Sequence, residues 1–286
     1  MINSTILVTG AGGTVGRHVA SELASQRPRL AFHTAAKAAR ARAEGHDAVA
    51  IDYAVPATLG PALAGIDAVF LLGTGIAGQE QGERAVLAAA RGAGVRKIVK
   101  LSAWGAPAEA HVIARVHRAV ERAIEDSGIA YTFLRANGFM QNFAGHLVAT
   151  IRAQGAIYLP AADAKISHID VRDIARVAAQ ALTSPRHDNR AYELSGPASL
   201  GYAEAAEILS RVLGTPIRYV PVTDEAAKAA MVGAHLPEHY ADALVELYRA
   251  YRVGAGAAVS PAVHEVLGRP PIDFETFVRD HLDAFR

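Results

Sequence analysis

The chain has 286 residues, 51% of them hydrophobic, a net charge of +1 and no cysteine. That is enough apolar material for one large α/β domain or a nucleotide domain with a partner lobe, and it excludes disulfides, thiol chemistry and thiolate metal sites. Near-zero charge without a basic run among aromatics makes no case for nucleic acid or an anionic membrane surface, and no leader or membrane-length apolar span occurs, so a soluble cytoplasmic protein is expected.

The first predicted strand, Ile6 to Thr9, runs into Gly10, Gly12, Gly13, Thr14, Val15 and Gly16, after which Val15, Val19 and Leu23 recur at helical spacing up to Ala24. Three glycines at intervals of three read as a dinucleotide-binding turn. Gly10 lets the chain reverse, Gly13 lets backbone approach a pyrophosphate, and Gly16 lets the helix pack on the sheet, with the phosphate charge on open N–H groups. Further strands are predicted at Arg29 to His33, Ala48 to Ile51, Ala68 to Leu72, Lys97 to Leu101 and Tyr131 to Leu134. Helices are predicted near Ala57 to Ala64, at Glu80 to Ala93 and at His111 to Ser127. This alternation describes a Rossmann-type doubly wound parallel sheet, whose ligands sit beyond the carboxyl ends of its strands.

Past Leu134 the pattern loosens. Ile166 to Ile169, the helix Val171 to Leu182 and the strand Ala191 to Leu194 are expected to be late additions to the same sheet. Tyr202 to Leu213, Thr223 to Val232, Leu236 to Tyr251 and Phe274 to Ala284 form a helical region broken by prolines. The expected division is a nucleotide domain over 1–137, completed by 167–195, and a smaller, mostly helical substrate lobe from 138–166 and 196–286. The ligand cleft is expected between the strand ends and that lobe.

Charge bears on the cofactor. A ribose 2′-hydroxyl usually meets an acidic residue at the end of the second strand, whereas a 2′-phosphate wants cations there. Between Glu22 and Glu44 there is no carboxylate, and His33, Lys37, Arg40 and Arg42 stand in or just after that loop. NADP(H) is therefore favoured over NAD(H), the alternative being that these cations are a solvated helix face.

Several motifs occur in a family-specific order. They are Thr9-Gly10-x-x-Gly13-x-x-Gly16, Leu101-Ser102-Ala103, His117-x-x-x-Glu121, Ser127-Gly128-Ile129-Ala130-Tyr131-Thr132-Phe133-Leu134-Arg135, Asn137-Gly138-Phe139-Met140-Gln141-Asn142 and His168-Ile169-Asp170-Val171-x-Asp173. Along nearly its whole length the chain resembles the NmrA-like atypical short-chain dehydrogenases, in particular the quinone oxidoreductase and triphenylmethane reductase branch. The resemblance implies an NAD(P)H-dependent reductase of quinone-like, dye-like or other conjugated molecules. An alternative is a redox sensor that binds NADP(H) without turnover. It also implies cofactor contacts at Gly10, Gly12, Gly13, Thr14, Val15, Gly16, His33, Thr34, Lys37, Asp52, Leu72, Gly73, Ser102 and His117. Thr34 stands where many relatives carry an arginine for the 2′-phosphate, and Ala136 where a proline is usual.

Ordinary members of the wider superfamily use Tyr-x-x-x-Lys, the tyrosine donating a proton to a carbonyl. Placing that lysine on His117 puts Ile113 at the tyrosine, and isoleucine transfers no proton. The acceptors that remain are those taking hydride without a dedicated acid. His117 and Ser102 are the candidate catalytic residues; His117, with an ordinary pKa near ~6.5, is suited to orient the nicotinamide ribose or supply a proton. Its alternative is a partly buried histidine on the stripe with Val120 and Ile124. Trp104, Asn137, Phe139 and Phe143 are candidates for the wall of an aromatic or quinone-like substrate site, with core packing as the alternative. Asp170 and Asp173 read as structural, Asp173 as a helix-start residue. His235-x-x-x-His239 is interrupted by Pro237, so no metal site is expected. Oligomeric state stays open, a homodimer included.

Overall fold

Three strands buried on both faces set the frame: β1 (Ile6–Val8), β4 (Ala68–Leu71) and β5 (Lys97–Ala103) are buried almost throughout. That pattern belongs to a parallel sheet covered by helices on each side. The computed structural model describes residues 5–73 and 75–286. Between and after these strands come α1 (Gly16–Glu22), β2 (Arg29–Phe32), α2 (Ala35–Ala43), β3 (Ala48–Ala50), α3 (Leu59–Leu63), α4 (Gln79–Gly92), α5 (Val112–Glu125) and β6 (Ala130–Ala136). The later elements are α6 (Gln141–Ala144), α7 (Val148–Gln154), β7 (Ala156–Leu159), β8 (Lys165–Ile166), α8 (Val171–Thr183), β9 (Arg190–Leu194), β10 (Leu200–Gly201) and α9 (Tyr202–Leu213). They continue with β11 (Arg218–Pro221), α10 (Asp224–Gly233), α11 (Glu238–Arg252), α12 (Ala262–Leu267), α13 (Phe274–Asp280) and α14 (Leu282–Phe285).

The main sheet has the order β3-β2-β1-β4-β5-β6-β9, and the β3-β2, β2-β1, β1-β4 and β4-β5 pairings are parallel. The order reverses at β1, so the carboxyl ends of β1 and β4 open the crevice in which such sheets bind ligands. The chain divides into two units, Met1–Ala103 with Val116–Arg135 and Ile174–Tyr192, and Trp104–Arg115 with Ala136–Asp173 and Glu193–Arg286. Each has its own core. In the first, Leu7, Val69 and Leu71 pack with Val86, Ile98, Val120 and Phe133; in the second, Phe143, Ile157 and Tyr202 pack with Leu209, Phe274 and Phe277. Among the described residues no helix is long and apolar enough to cross a membrane.

Several late expectations need correction. Ile166 to Ile169 does not join the main sheet: Lys165–Ile166 pairs antiparallel with Leu200–Gly201, and Ile169 makes a single bridge to Phe139. The second unit also holds a parallel pair, β7 with β11, that no alternation announced. The expected helix from Phe274 to Ala284 is broken at His281, whose Nδ1 lies 2.8 Å from the Phe277 carbonyl. Finally, Lys37, Arg40 and Arg42 lie just after the loop on a regular helix, α2, which was not among the predicted helices but is the helix face given as their alternative. Thr34 caps it, its hydroxyl accepting from the Lys37 amide.

Candidate active site

The glycine turn is built as its spacing requires. Gly10 leaves β1 at φ +62°, and a Cβ there would lie 2.8 Å from the Leu72 side chain. At Gly16 a Cβ would stand 2.1 Å from the Gly10 carbonyl oxygen, so the first turn of α1 closes on β1 only without a side chain. Gly13 meets nothing nearer than that same oxygen, at 3.2 Å. Its amide donates to Gly10 O at 2.8 Å and the Ala11 amide to Ala31 O at 3.1 Å. The amides of Gly12, Thr14 and Val15 donate to no protein acceptor among the described residues, and Gly12, Gly13 and Thr14 are exposed. A cluster of open N–H groups at an exposed turn is a cradle for phosphate oxygens.

Beside the turn lies a pocket of about 430 Å³ whose wall includes Gly10, Phe32, His33, Asp52, Tyr53 and Gly82. Three of the residues named from sequence, Gly10, His33 and Asp52, thus come together. Tyr53 and Gly82 were not legible, and they belong to each other. The Tyr53 hydroxyl donates to Leu72 O at 2.9 Å, burial pushes its pKa above the ordinary value, and a Cβ on Gly82 would lie 2.9 Å from Tyr53. Asp52 Oδ1 accepts from the Ala54 amide at 2.9 Å, which fixes the carboxylate at the end of β3.

The cations near the turn sort by their partners. Arg40 pairs with Glu44 at 3.0 Å, and Arg42 donates to Ala48 O at 2.9 Å. Lys37 is exposed, its ammonium has no protein partner among the described residues, and its Cδ comes within 3.9 Å of where a Gly12 Cβ would be. Thr34 is occupied as the α2 cap, and His33 is exposed at the pocket wall.

His117 lies half-buried on α5, one turn after Ile113. Its Nδ1 is 3.2 Å from Lys100 Nζ, and Lys100 forms a wholly buried ion pair with Glu83 from α4. Gln79 donates to the other Glu83 oxygen at 3.0 Å, and Gly73 is bare because a Cβ would meet that oxygen at 2.4 Å. The sequence reading missed both Lys100 and Glu83. A lysine inside a strand apolar on both sides was the available signal, since such a charge survives only when paired.

Ser102 has a different part. Its hydroxyl donates to Glu121 Oε1 at 2.7 Å, and the same buried carboxylate takes Arg135 at 2.8–2.9 Å and Arg118 at 3.1 Å. The serine proton is therefore committed, leaving only acceptor lone pairs.

In the second unit, Trp104 and Phe139 keep partial exposure, and the Trp104 indole donates to Ala255 O at 2.9 Å. Phe143 is 1% exposed and packs edge-on against Phe274 and His168, in the manner of a core ring. The Asn137 amide donates to Ser167 Oγ and Gly256 O, both at 2.9 Å, a structural tie. Asp170, rather than Asp173, meets the start of α8: its Oδ1 accepts from the Arg172 amide at 2.8 Å and its carboxylate pairs with the Arg172 guanidinium, whereas the Asp173 carboxylate accepts from Arg269 and the Ile272 amide. His235 lies after α10 at φ +66° and His239 is the second residue of α11, so the pair shares no helix.

Comparison with known proteins agrees with this geometry. The NmrA-like family model matches residues 2–268. The NAD(P)H azoreductase of Xenophilus azovorans is 41% identical over 285 residues, 98% of this chain and 99% of that protein. Two solved structures superpose closely. The triphenylmethane reductase of Citrobacter sp., complexed with NADP(H), has a TM-score of 0.86 at 27% identity, covering 97% of this chain and 99% of that one. An NADPH-dependent quinone oxidoreductase of Escherichia coli, complexed with NADPH, has a TM-score of 0.88 at 26% identity, covering 98% of this chain and 100% of that one. With the glycine cradle intact and the family model matched almost end to end, the chain belongs to the NmrA-like family.

Proposed function

We propose that the chain is an NADPH-dependent reductase that delivers hydride to quinone-like, azo or other conjugated aromatic acceptors. The observation that carries this reading is the open turn, where the amides of Gly12, Thr14 and Val15 have no protein acceptor among the described residues, beside the pocket walled by Gly10, His33 and Asp52. The NADP(H)-bound structural relatives and the reductase relative matched over its whole length favour turnover over a sensor without chemistry. When bound, the dinucleotide supplies the hydride.

The chain's own residues bind, orient and protonate. The turn amides would hold pyrophosphate oxygens, Asp52 and Tyr53 would border the adenosine, and Lys37 with His33 would meet the 2′-phosphate. We assign Ser102 to holding Glu121 and Arg135 in place rather than to chemistry. Ile113 leaves the helix without the superfamily's phenolic acid, so the charge that develops on the acceptor must be one its own conjugation spreads. A quinone or azo acceptor meets that requirement; a simple ketone, whose alkoxide needs a proton as it forms, does not. His117 supplies the proton that follows hydride transfer. Trp104 and Phe139, both partly exposed, are the aromatic faces assigned to substrate.

Steady-state NADPH oxidation with a benzoquinone, an azo dye and a simple ketone tests the reading. Turnover on the first two, poor turnover on the ketone and a loss of about tenfold or more in His117→Ala on the quinone are expected, the last being ~1.4 kcal/mol or more of transition-state stabilisation. Efficient ketone reduction would show that another acid exists.

A further inference from the structure

The buried charges behind His117 form a closed set. Lys100 and Glu83 have no side-chain exposure, and ions so placed are tolerated only when their hydrogens and lone pairs are taken. An ammonium has three hydrogens to give. Those of Lys100 go to Glu83 Oε2, to the Leu101 carbonyl at 3.2 Å and to His117 Nδ1 at 3.2 Å. The Gln79 amide nitrogen lies 3.5 Å from Nδ1 and 3.4 Å from Nε2 of the same ring, so it discriminates between neither. A ring nitrogen that faces an ammonium hydrogen presents its lone pair. The proton of the neutral imidazole is then on Nε2, because the partner of one nitrogen sets the state of the other.

We infer that Lys100, anchored by Glu83, is a positioning residue that holds His117 as the Nε2–H tautomer and replaces the proton His117 gives up. The proton-supply half rests on the reductase reading above; the tautomer half does not. In the step, the Nε2–H bond breaks as the hydride-reduced, anionic acceptor takes that proton. A new N–H bond forms at Nδ1 with a proton from Lys100, which keeps the electron pair as a neutral amine beside Glu83. Reset reverses the shift: water protonates Nε2 while Nδ1–H returns its proton to Lys100. One hydride from NADPH and one proton from water are consumed, and Lys100, with no exposure, is reset through His117.

The test is nitrogen-15 NMR of histidine-labelled full-length protein, with His117→Gln to assign the ring, at a pH where the ring is neutral. The expected spectrum is that of an Nε2–H imidazole. Lys100→Met alone strands a buried carboxylate and is expected to impair folding, so the informative variant is Glu83→Gln with Lys100→Met, which removes both charges at similar volume. In it the tautomer should shift toward Nδ1–H, and kcat for quinone reduction by NADPH should fall about tenfold or more at unchanged KM, within the range a general acid contributes. An Nδ1–H tautomer in the wild type, or one unmoved by the double substitution, overturns the assignment of Lys100. Wild-type turnover in His117→Ala instead overturns His117 as the proton source and the supply role with it, while the tautomer result stands by itself.

Discussion

Lys37→Ala should separate the two cofactors. In sequence His33, Lys37, Arg40 and Arg42 are comparable claimants for a 2′-phosphate, but in the structure Arg40 is held by Glu44 and Arg42 by the Ala48 carbonyl. Lys37 alone among these three helix cations has no side-chain partner among the described residues and comes near Gly12. Two unit charges about 4 Å apart in water attract by ~1 kcal/mol, and the exposure of Lys37 makes the water value the relevant one. A dianionic phosphate raises this and physiological salt lowers it, leaving about 1 kcal/mol, or roughly a fivefold weaker Kd for NADPH. Isothermal titration calorimetry of the wild type, Lys37→Ala and Arg40→Ala with NADPH and NADH reads it directly. The expected result is a loss confined to Lys37→Ala with NADPH, shrinking toward nothing near ~1 M salt, where the screening length is about 3 Å. An equal loss for NADH, or an equal effect of Arg40→Ala, would refute the assignment.

The glycines of the turn should divide by consequence. Gly16→Ala places a Cβ 2.1 Å from Gly10 O and should destabilise the fold by about 1–3 kcal/mol, whereas Gly13→Ala, at 3.2 Å, should keep the melting temperature near wild type while weakening both cofactors in calorimetry. Ser102→Ala removes one of several donors to buried Glu121; unfolding in urea should show a loss of about 1 kcal/mol, with quinone turnover retained. Burial pushes the His168 imidazole down to about 4. The unfolded chain, with an ordinary value near ~6.5, then binds a proton that the folded chain refuses between those two values. The stability this group contributes is complete above about pH 6.5 and falls by roughly 1.4 kcal/mol per unit until about pH 4. Urea unfolding across that range should show the slope in the wild type and lose it in His168→Phe.

What was legible in the sequence follows from which forces are local. The glycine turn and strands β1 to β6 were readable because apolar runs bounded by turns, and glycines that cannot carry a Cβ, are properties of short segments. Helix α2 escaped because its inward residues, Ala38 and Ala41, give an alanine-rich segment almost no apolar period, even though Thr34 is an ordinary cap. Ile166 to Ile169 has the composition of a sheet strand, but its partner was fixed elsewhere, by Leu200–Gly201 and Phe139, and pairing is not written in one segment. The same division holds at the site. Gly10, His33 and Asp52 follow from the sheet's topology, while Tyr53, Gly82, Glu83 and Lys100 matter through contacts between α4 and the strand ends. Ser102 looked like chemistry from its place at the end of β5, and only its bond to Glu121 shows that its proton is engaged.

The measurement that bears most directly on the central claim is acceptor-dependent loss of NADPH absorbance by the purified full-length chain, with cofactor binding measured on the same sample. Tight NADPH binding together with turnover that requires an added quinone or azo dye is the predicted result. NADPH binding with no oxidation above background across quinones, azo dyes and conjugated cationic dyes would contradict the account and leave a sensor.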